Sequence, residues 1–332
     1  MADEAYPLDH WSKWIQVVPD QVNQAVAQVA RMEELPDKQL LQGGVMALPL
    51  AGAGNHSVLR LQFAGENYCL KRPRPANRHH GDPELVLRRE VGGMCSLVDR
   101  VPDRCPRPLS WSTSPPWLLA QLLPGSHLGN TALTRQQLSE LASAYKDLCQ
   151  ITPDTIDEPL WNIDWPIVFL MDWLQKQLPL LTDRGKEDAS SAEAASLVSD
   201  WLASEGPASF LGASDQLVFS RGDQNMANVM WDGDRIRFVD FEYCGWNDLP
   251  RDLSLVTDHI QSYATPIEDW NVFVEQFDLT SSQRRRLQAG RQRGALSWLT
   301  KECLKPGSLR GISEENRIER LLDRARKLCR CA

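Results

Sequence analysis

The chain has 332 residues, 42% hydrophobic and 24% charged, an ordinary balance for a folded protein of more than one lobe. Its formal net charge of -8 argues against a general nucleic-acid binder, which carries a basic surface, and leaves room for a cationic small molecule. Eight cysteines without a repeated CxxC pair, an acidic start (MADEAYPLDH) and a longest strongly apolar run of only Pro166–Leu170 argue against a metal knuckle, a signal peptide and a membrane span, so the cytoplasm is the expected compartment.

Residues 1–40, with Trp11, Trp14, Ile15, Val18, Val22 and Val26, predict a helical extension ending near Pro36. Three β-rich runs follow, Val45–Leu50, Ser57–Phe63 and Asn67–Arg72, separated by AGAGNH and by Ala64-Gly65-Glu66. Asp82 offers an N-cap, with Pro83 in the first helical position of PELVLRREVGGMCSLV. Gly92 and Gly93 weaken that helix by ~1 kcal/mol each relative to alanine. A proline-rich connector, VPDRCPRPLSWSTSPP, leads to one more strand, Trp117–Leu122. Leu123-Pro124-Gly125 then reads as the exit from a first lobe, dividing the chain into 1–122 and 123–332.

Helices dominate from Thr134, which forms a capping-box pattern with Gln137 ahead of Leu138, Leu141, Ala142, Tyr145, Leu148 and Cys149 at helical spacing. After the tryptophan-rich LWNIDWPIVFLMDWL, the polar stretch Thr182–Glu193 reads as a surface loop before a helix through Leu197, Val198, Trp201 and Leu202. Arg284-Arg285-Arg286 reads as a solvated helix face, and Ser313 as the cap of a last helix with Ile318, Leu321, Leu322, Ala325, Leu328 and Cys329 on its apolar side. His79-His80 lacks a third ligand nearby and reads as a surface loop.

The stretch that carries chemistry is Val218–Asp252, VFSRGDQNMANVMWDGDRIRFVDFEYCGWNDLPRD. Asp232-Gly233 predicts a two-residue hairpin turn between Val229-Met230-Trp231 and a strand through Arg235–Val239. Such a hairpin returns Asp240 to the side of Asn228, five residues after Asp223. Phosphoryl transfer needs this set: Mg²⁺ takes oxygen ligands, which a carboxylate and an amide supply, while a separate carboxylate orients the attacking hydroxyl. Asn228 and Asp240 fit the metal role, and Asp223 that of the base.

These residues resemble the aminoglycoside phosphotransferase and choline kinase superfamily, whose loop reads H-G-D-x-x-x-x-N before D-[FWY]-E-x-[AS]-G-x-x-D. The counterparts are Arg221-Gly222-Asp223 with Asn228, then Asp240-Phe241-Glu242-Tyr243-Cys244-Gly245-Trp246-Asn247-Asp248. The resemblance covers residues 45–260 in the right order and implies an α+β, protein-kinase-like bilobal fold: a small antiparallel-sheet lobe and a larger, mainly helical one. It implies Asp223 as catalytic base, Asn228 and Asp240 as Mg²⁺ ligands, and Asp252 as the later aspartate that supports the loop. It further implies ATP in the cleft, with Gly52, Gly54 and Asn55 in a turn over the phosphates and Lys71 on the α and β phosphates. Glu90 would hold Lys71, with Glu84 on the same helix as the alternative, and Gln121 to Leu123 would line the adenine pocket. Arg221 stands in place of the histidine before Gly-Asp, and Cys149 where the family often has histidine after a helix-ending leucine.

The activity so implied is Mg-ATP-dependent phosphorylation of a hydroxyl on an aminoglycoside-, amino-alcohol- or sugar-like molecule. The alternative is a nucleotide-binding pseudokinase with a regulatory role. A protein kinase is disfavoured, because Asp-Phe-Glu replaces Asp-Phe-Gly and no Ala-Pro-Glu follows at the expected distance. Glu242 either assists the metal or bonds locally. Trp161, Asp164, Trp165, Asp172 and Trp173, with Asp248, Glu268, Asp269 and Trp270, either form a pocket for an ammonium group or make a helical core with acids outside. Oligomeric state is left open.

Overall fold

The computed structural model describes residues 18–32, 38–50, 56–73, 82–155, 165–212, 214, 216–309 and 316–330, with the side chains of 56 and 165–170 outside the description. Trp11, Trp14, Ile15, Gly52, Gly54, Asn55, His79, His80, Trp161, Asp164 and Ser313 therefore lie outside the described residues.

Helix α1 (Asp20–Ala30) precedes strands β1 (Gln39–Leu40), β2 (Met46–Pro49), β3 (His56–Phe63) and β4 (Glu66–Pro73), helix α2 (Pro83–Val98), and strands β5 (Pro108–Thr113) and β6 (Pro116–Gln121). The six strands form one antiparallel sheet in the order β1-β2-β3-β4-β6-β5. Ala64 and Gly65 turn β3 into β4 with φ of 50° and 87°, and Phe63 pairs Glu66, the geometry of a two-residue hairpin. Val22, Ala25, Val26 and Val29 of α1 bury against Val45, Ala47, Leu59 and Leu61 on one face of the sheet. Arg72 ties that helix down by donating to the carbonyls of Val29 (3.1 Å) and Met32 (2.5 Å).

The proline-rich connector is not a connector throughout, since it contains β5. Pro108 opens that edge strand and Pro116 opens the neighbouring interior strand β6, first positions that proline tolerates, while Pro115 falls in the turn between them. Helix α2 starts on Asp82, whose carboxylate accepts from Glu84 N at 3.0 Å.

After β7 (Ser126–His127) come helices α3 (Arg135–Cys149), α4 (Trp165–Arg184), α5 (Ala189–Ala203) and α6 (Gly206–Leu211). Strands β8 (Leu217–Ser220), β9 (Val229–Trp231), β10 (Ile236–Phe238) and β11 (Gly245–Asp248) form two small antiparallel sheets, β10-β9-β7 and β11-β8. Helices α7 (Leu249–Asp258), α8 (Ile267–Glu275), α9 (Ser281–Leu304) and α10 (Arg317–Arg330) complete the described α-helices. The arrangement is bilobal α+β: a six-stranded antiparallel sheet with its helices, and a mainly helical remainder. Thr134 and Gln137 form the expected capping box on α3.

Thr182–Glu193 is a correction. It is the end of α4, a short turn, and the start of α5, capped by Asp188 accepting from Ser191 N at 2.8 Å. Leu181 and Ala194 are buried, so the polar residues of this stretch are the outer faces of two helices packed as a hairpin. The DGDR turn also differs: Ile236 pairs Trp231, leaving four loop residues rather than two. The Asp232 carboxylate, accepting from Asp234 N (3.0 Å) and Arg235 N (2.8 Å), holds the wider loop.

Candidate active site

Side chains alternate across a strand, so Cys69 and Lys71 of β4 share one face. Lys71 is 8% exposed and points to two carboxylates from separate parts of the fold. Its Nζ lies 2.7 Å from Glu90 Oε2 on α2 and 2.5 Å from Asp240 Oδ1 just past β10. Burial opposes its charge, but Asp240, Glu90 and Glu242 outweigh burial and raise its pKa well above the usual lysine range. The choice between Glu84 and Glu90 is thereby decided: Glu84 pairs with Arg88 one turn along the helix at 2.5 Å, while Glu90 is 4% exposed on the buried side of α2.

The hairpin delivers Asp240 as its register requires. Val229 pairs Phe238, and Val239 N donates to the Asn228 carbonyl at 3.0 Å, so Asp240 emerges beside Asn228. Asp240 adopts φ 67°, a left-handed conformation that aspartate tolerates better than most residues. Across the loop, Asn228 Nδ2 donates to Asp223 Oδ2 at 3.1 Å, and Asn225 N donates to Asp223 Oδ1 at 3.1 Å. Burial, then the charge of Asp240, push the Asp223 pKa up, against the opposing pull of Arg221 and the Asn225 amide.

Gly222 has φ 77°, and a Cβ there would stand 2.0 Å from the Tyr243 carbonyl, so the residue before Asp223 has to be glycine. Gly93 plays a similar part in α2. A Cβ there would come within 2.3 Å of Cys244 Sγ, so the glycine that weakens the helix lets it approach the segment after Asp240.

Asp252, 2% exposed, anchors the loop from α7 by accepting from Ser220 Oγ, from Gln224 Nε2 at 2.8 Å and from Asn247 Nδ2 at 3.4 Å. Gln224 in turn accepts from Tyr145 Oη and from Arg221 Nη2 at 2.8 Å. Sequence reasoning missed Ser220, Tyr145 and Gln224; the one available signal was the position of Gln224 directly after Asp223.

Gln121 ends β6 opposite Tyr68, with its N–H donated to the Arg107 carbonyl at 2.9 Å, and Leu123 follows half-buried just past the strand. Glu242 is 2% exposed and within electrostatic range of both Lys71 and Asp223. Of the two readings of the tryptophan–acid residues, the described members follow the helical core. Asp248 is buried and pairs with Arg286 at 3.1 Å, Trp270 is fully buried in the core, Asp172 is exposed, and Trp173 packs against the helical core. Arg286, 3% exposed, is likewise no part of a solvated face.

The model of the phosphotransferase enzyme family matches residues 47–299. The chain belongs to this family. As a member of the phosphotransferase enzyme family, it is an enzyme that phosphorylates a hydroxyl group of a small molecule. No curated protein matches it in sequence. Among solved structures it is similar to a choline/ethanolamine kinase family protein from Mesorhizobium loti (TM-score 0.56, 15% identity, covering 93% of this chain and 94% of that one). It is also similar to choline kinase from Cryptosporidium parvum (0.56, 10%, 93% and 96%). A spectinomycin phosphotransferase in complex with ADP and spectinomycin is a third likeness (0.54, 14%, 85% and 88%). At these identities the likeness concerns the fold.

Proposed function

We propose that this phosphotransferase moves the γ-phosphoryl group of ATP, with Mg²⁺, to a hydroxyl of an aminoglycoside-, amino-alcohol- or sugar-like acceptor. The observation that carries this reading is the double grip on Lys71. Glu90 from the sheet lobe and Asp240 from the helical lobe hold one ammonium, 2.7 and 2.5 Å away, beside the Asp223–Asn228 pair. An ammonium held there is placed to neutralise phosphate oxygens in the cleft between the lobes.

The donor set fits Mg²⁺. With its nitrogen on Asp223, Asn228 has its amide oxygen left to offer, and Asp240 adds a carboxylate; both are the hard oxygen donors this ion takes. Among the described residues no group of three or more His, Cys, Asp or Glu side chains is placed to hold a metal, which suits an ion that keeps waters and phosphate oxygens as its other ligands. When bound, Mg²⁺ would offset phosphate charge. Asp223 orients the acceptor hydroxyl and takes its proton, its raised pKa bringing it nearer to neutral pH than an ordinary aspartate. Gln121 and Leu123 border the purine with backbone groups; Gly52, Gly54 and Asn55, the turn that the family resemblance assigns to the phosphates, lie outside the described residues.

The acceptor classes follow what similar structures are named for: choline or ethanolamine, spectinomycin and macrolides. A cationic amine on the acceptor is compatible with the net charge of -8. The test is phosphate transfer from ATP to a panel of amino sugars, amino alcohols, macrolides and simple sugars, with Asp223→Ala alongside. Transfer to one class that disappears in the variant supports the assignment. Transfer that survives in Asp223→Ala removes Asp223 from its role, and nucleotide binding without transfer to any acceptor favours a regulator.

A further inference from the structure

Arg221 stands inside the motif that carries the chemistry, yet the mechanism above gives it no task. Its side chain is 0% exposed. Among the described residues it makes no ion pair at contact distance, and its Nε has no hydrogen-bond partner. A guanidinium taken wholly out of water costs several kcal/mol unless other groups receive it. Here the receivers all belong to, or brace, the loop of Asp223 and Asn228. Nη2 donates to Gln224 Oε1 at 2.8 Å and to Tyr145 Oη at 3.3 Å, and Nη1 donates to the Asn228 carbonyl at 3.4 Å. The guanidinium carbon lies 4.5 Å from the centroid of the Phe238 ring, on the strand that leads to Asp240.

One side chain thus touches the residue after Asp223, the backbone of Asn228 and the strand before Asp240. Gln224 adds a relay: its oxygen takes the guanidinium while its nitrogen donates to Asp252 Oδ1, so a buried cation and a buried anion are joined through one amide. Tyr145 closes the cluster with its ring edge-on to Phe238, centroids 5.4 Å apart. Packing alone would be met by an uncharged side chain; the three donor contacts need the planar fork of an arginine.

We propose that Arg221 is a positioning residue: by holding the Asn228 carbonyl, the Gln224 side chain and the Phe238 ring together, it sets where the Asn228 amide and the Asp223 carboxylate stand relative to Asp240. With Tyr145 and Gln224 it anchors the loop from the position where the family pattern has a histidine. The role rests on the phosphotransferase reading, and its effect falls on the metal-bound nucleotide, because Lys71, Glu90, Gln121 and Leu123 are untouched by it.

The test is calorimetric binding of ADP and of a non-hydrolysable ATP analogue, with and without Mg²⁺, to the full chain and to Arg221→Met and Arg221→Lys. Methionine keeps the apolar contact with Phe238 and loses every donor; lysine keeps the charge and loses the fork. The expected result is that metal-free binding stays within about threefold of the parent in both variants. The gain in affinity that Mg²⁺ confers should fall by about tenfold or more in Arg221→Met and be partly restored in Arg221→Lys, the scale seen when groups behind a metal ligand are removed. A purely structural role would lower unfolding midpoints and leave that gain unchanged in the folded variants, which overturns the proposal. Equal loss of metal-free and Mg²⁺-supported binding overturns it too. If Arg221→Met does not fold, Arg221→Lys decides alone, and a gain equal to the parent's refutes the role. The two readings fail separately: a parent chain that binds no nucleotide refutes both, whereas variants with a full Mg²⁺ gain refute only the role of Arg221.

Discussion

Lys71 and Asp240, 169 positions apart in sequence, meet at 2.5 Å, and their contact joins the sheet lobe to the hairpin β9–β10. Glu90 completes the arrangement from α2. Lys71→Met would leave two carboxylates facing each other without a cation. We expect kcat/KM for ATP to fall by about 100-fold or more, from loss of the charge that complements phosphate. The unfolding midpoint should also fall, because the remaining buried charges repel. Steady-state kinetics and urea titration on the same preparation check both; an unchanged kcat/KM removes Lys71 from the nucleotide site.

Gly93 permits α2 to touch the segment that follows Asp240. Gly93→Ala forces a methyl against Cys244 Sγ, 2.3 Å from the ideal Cβ position, in a packed core. The expected loss of stability is about 1–3 kcal/mol despite the higher helix propensity of alanine. Combining it with Cys244→Ala removes the nearest atom, so the double variant should be more stable than the sum of the singles implies. Additive effects in denaturant titrations would mean that α2 shifts freely.

Asp258, at the end of α7, is buried between Arg291 on α9 and Arg324 on α10, each at 2.9 Å. Burial pushes its carboxyl pKa up, but the two guanidinium groups outweigh burial and hold it below the ordinary value. Asp258→Ala strands both cations, at a cost of about 3–5 kcal/mol. Asp258→Asn, which keeps an acceptor, should cost less. Thermal or urea unfolding that ranks the two variants the other way would contradict this account.

His259 tests the pH response. Its ring is partly buried, edge-on to Trp298 at 5.6 Å, with Nδ1 accepting from Gln261 N at 3.3 Å. Burial first, then Arg221 and Lys301, push its pKa down to about 4. The unfolded chain, with a histidine pKa near 6.5, therefore takes up a proton between pH 6.5 and 4 while the folded chain does not. Stability attributable to this residue is intact above pH 6.5 and is lost as pH falls toward 4, by about 2 kcal/mol after allowing for partial exposure. His259→Gln should flatten the slope of unfolding free energy against pH in that window and leave it unchanged above pH 7. An identical slope in the variant would show that His259 titrates normally.

Much of the site was legible in the chain itself. The hairpin that returns Asp240 to Asn228, the cap at Asp82, the capping box at Thr134 and the Ala64-Gly65 turn depend on neighbours within a few positions, so short-range hydrogen bonding and backbone preference determine them. The pairing of Lys71 with Glu90 was already implied by the family resemblance, but the other partners of buried charge were not legible. Bringing Asp240 onto Lys71, pairing Arg286 with Asp248 instead of solvent, and seating Arg221 beneath the loop each require groups from elements far apart in sequence. The polar run Thr182–Glu193 taught the same lesson, because an exposed helix face and a loop share one composition until Leu181 and Ala194 find a core to enter. The sequence alone determined which chemical groups are present, in what order, and which turns bring near neighbours together. Only the tertiary structure decided which charges leave water and beside what, because the cost of burying a charge depends on every group that surrounds it.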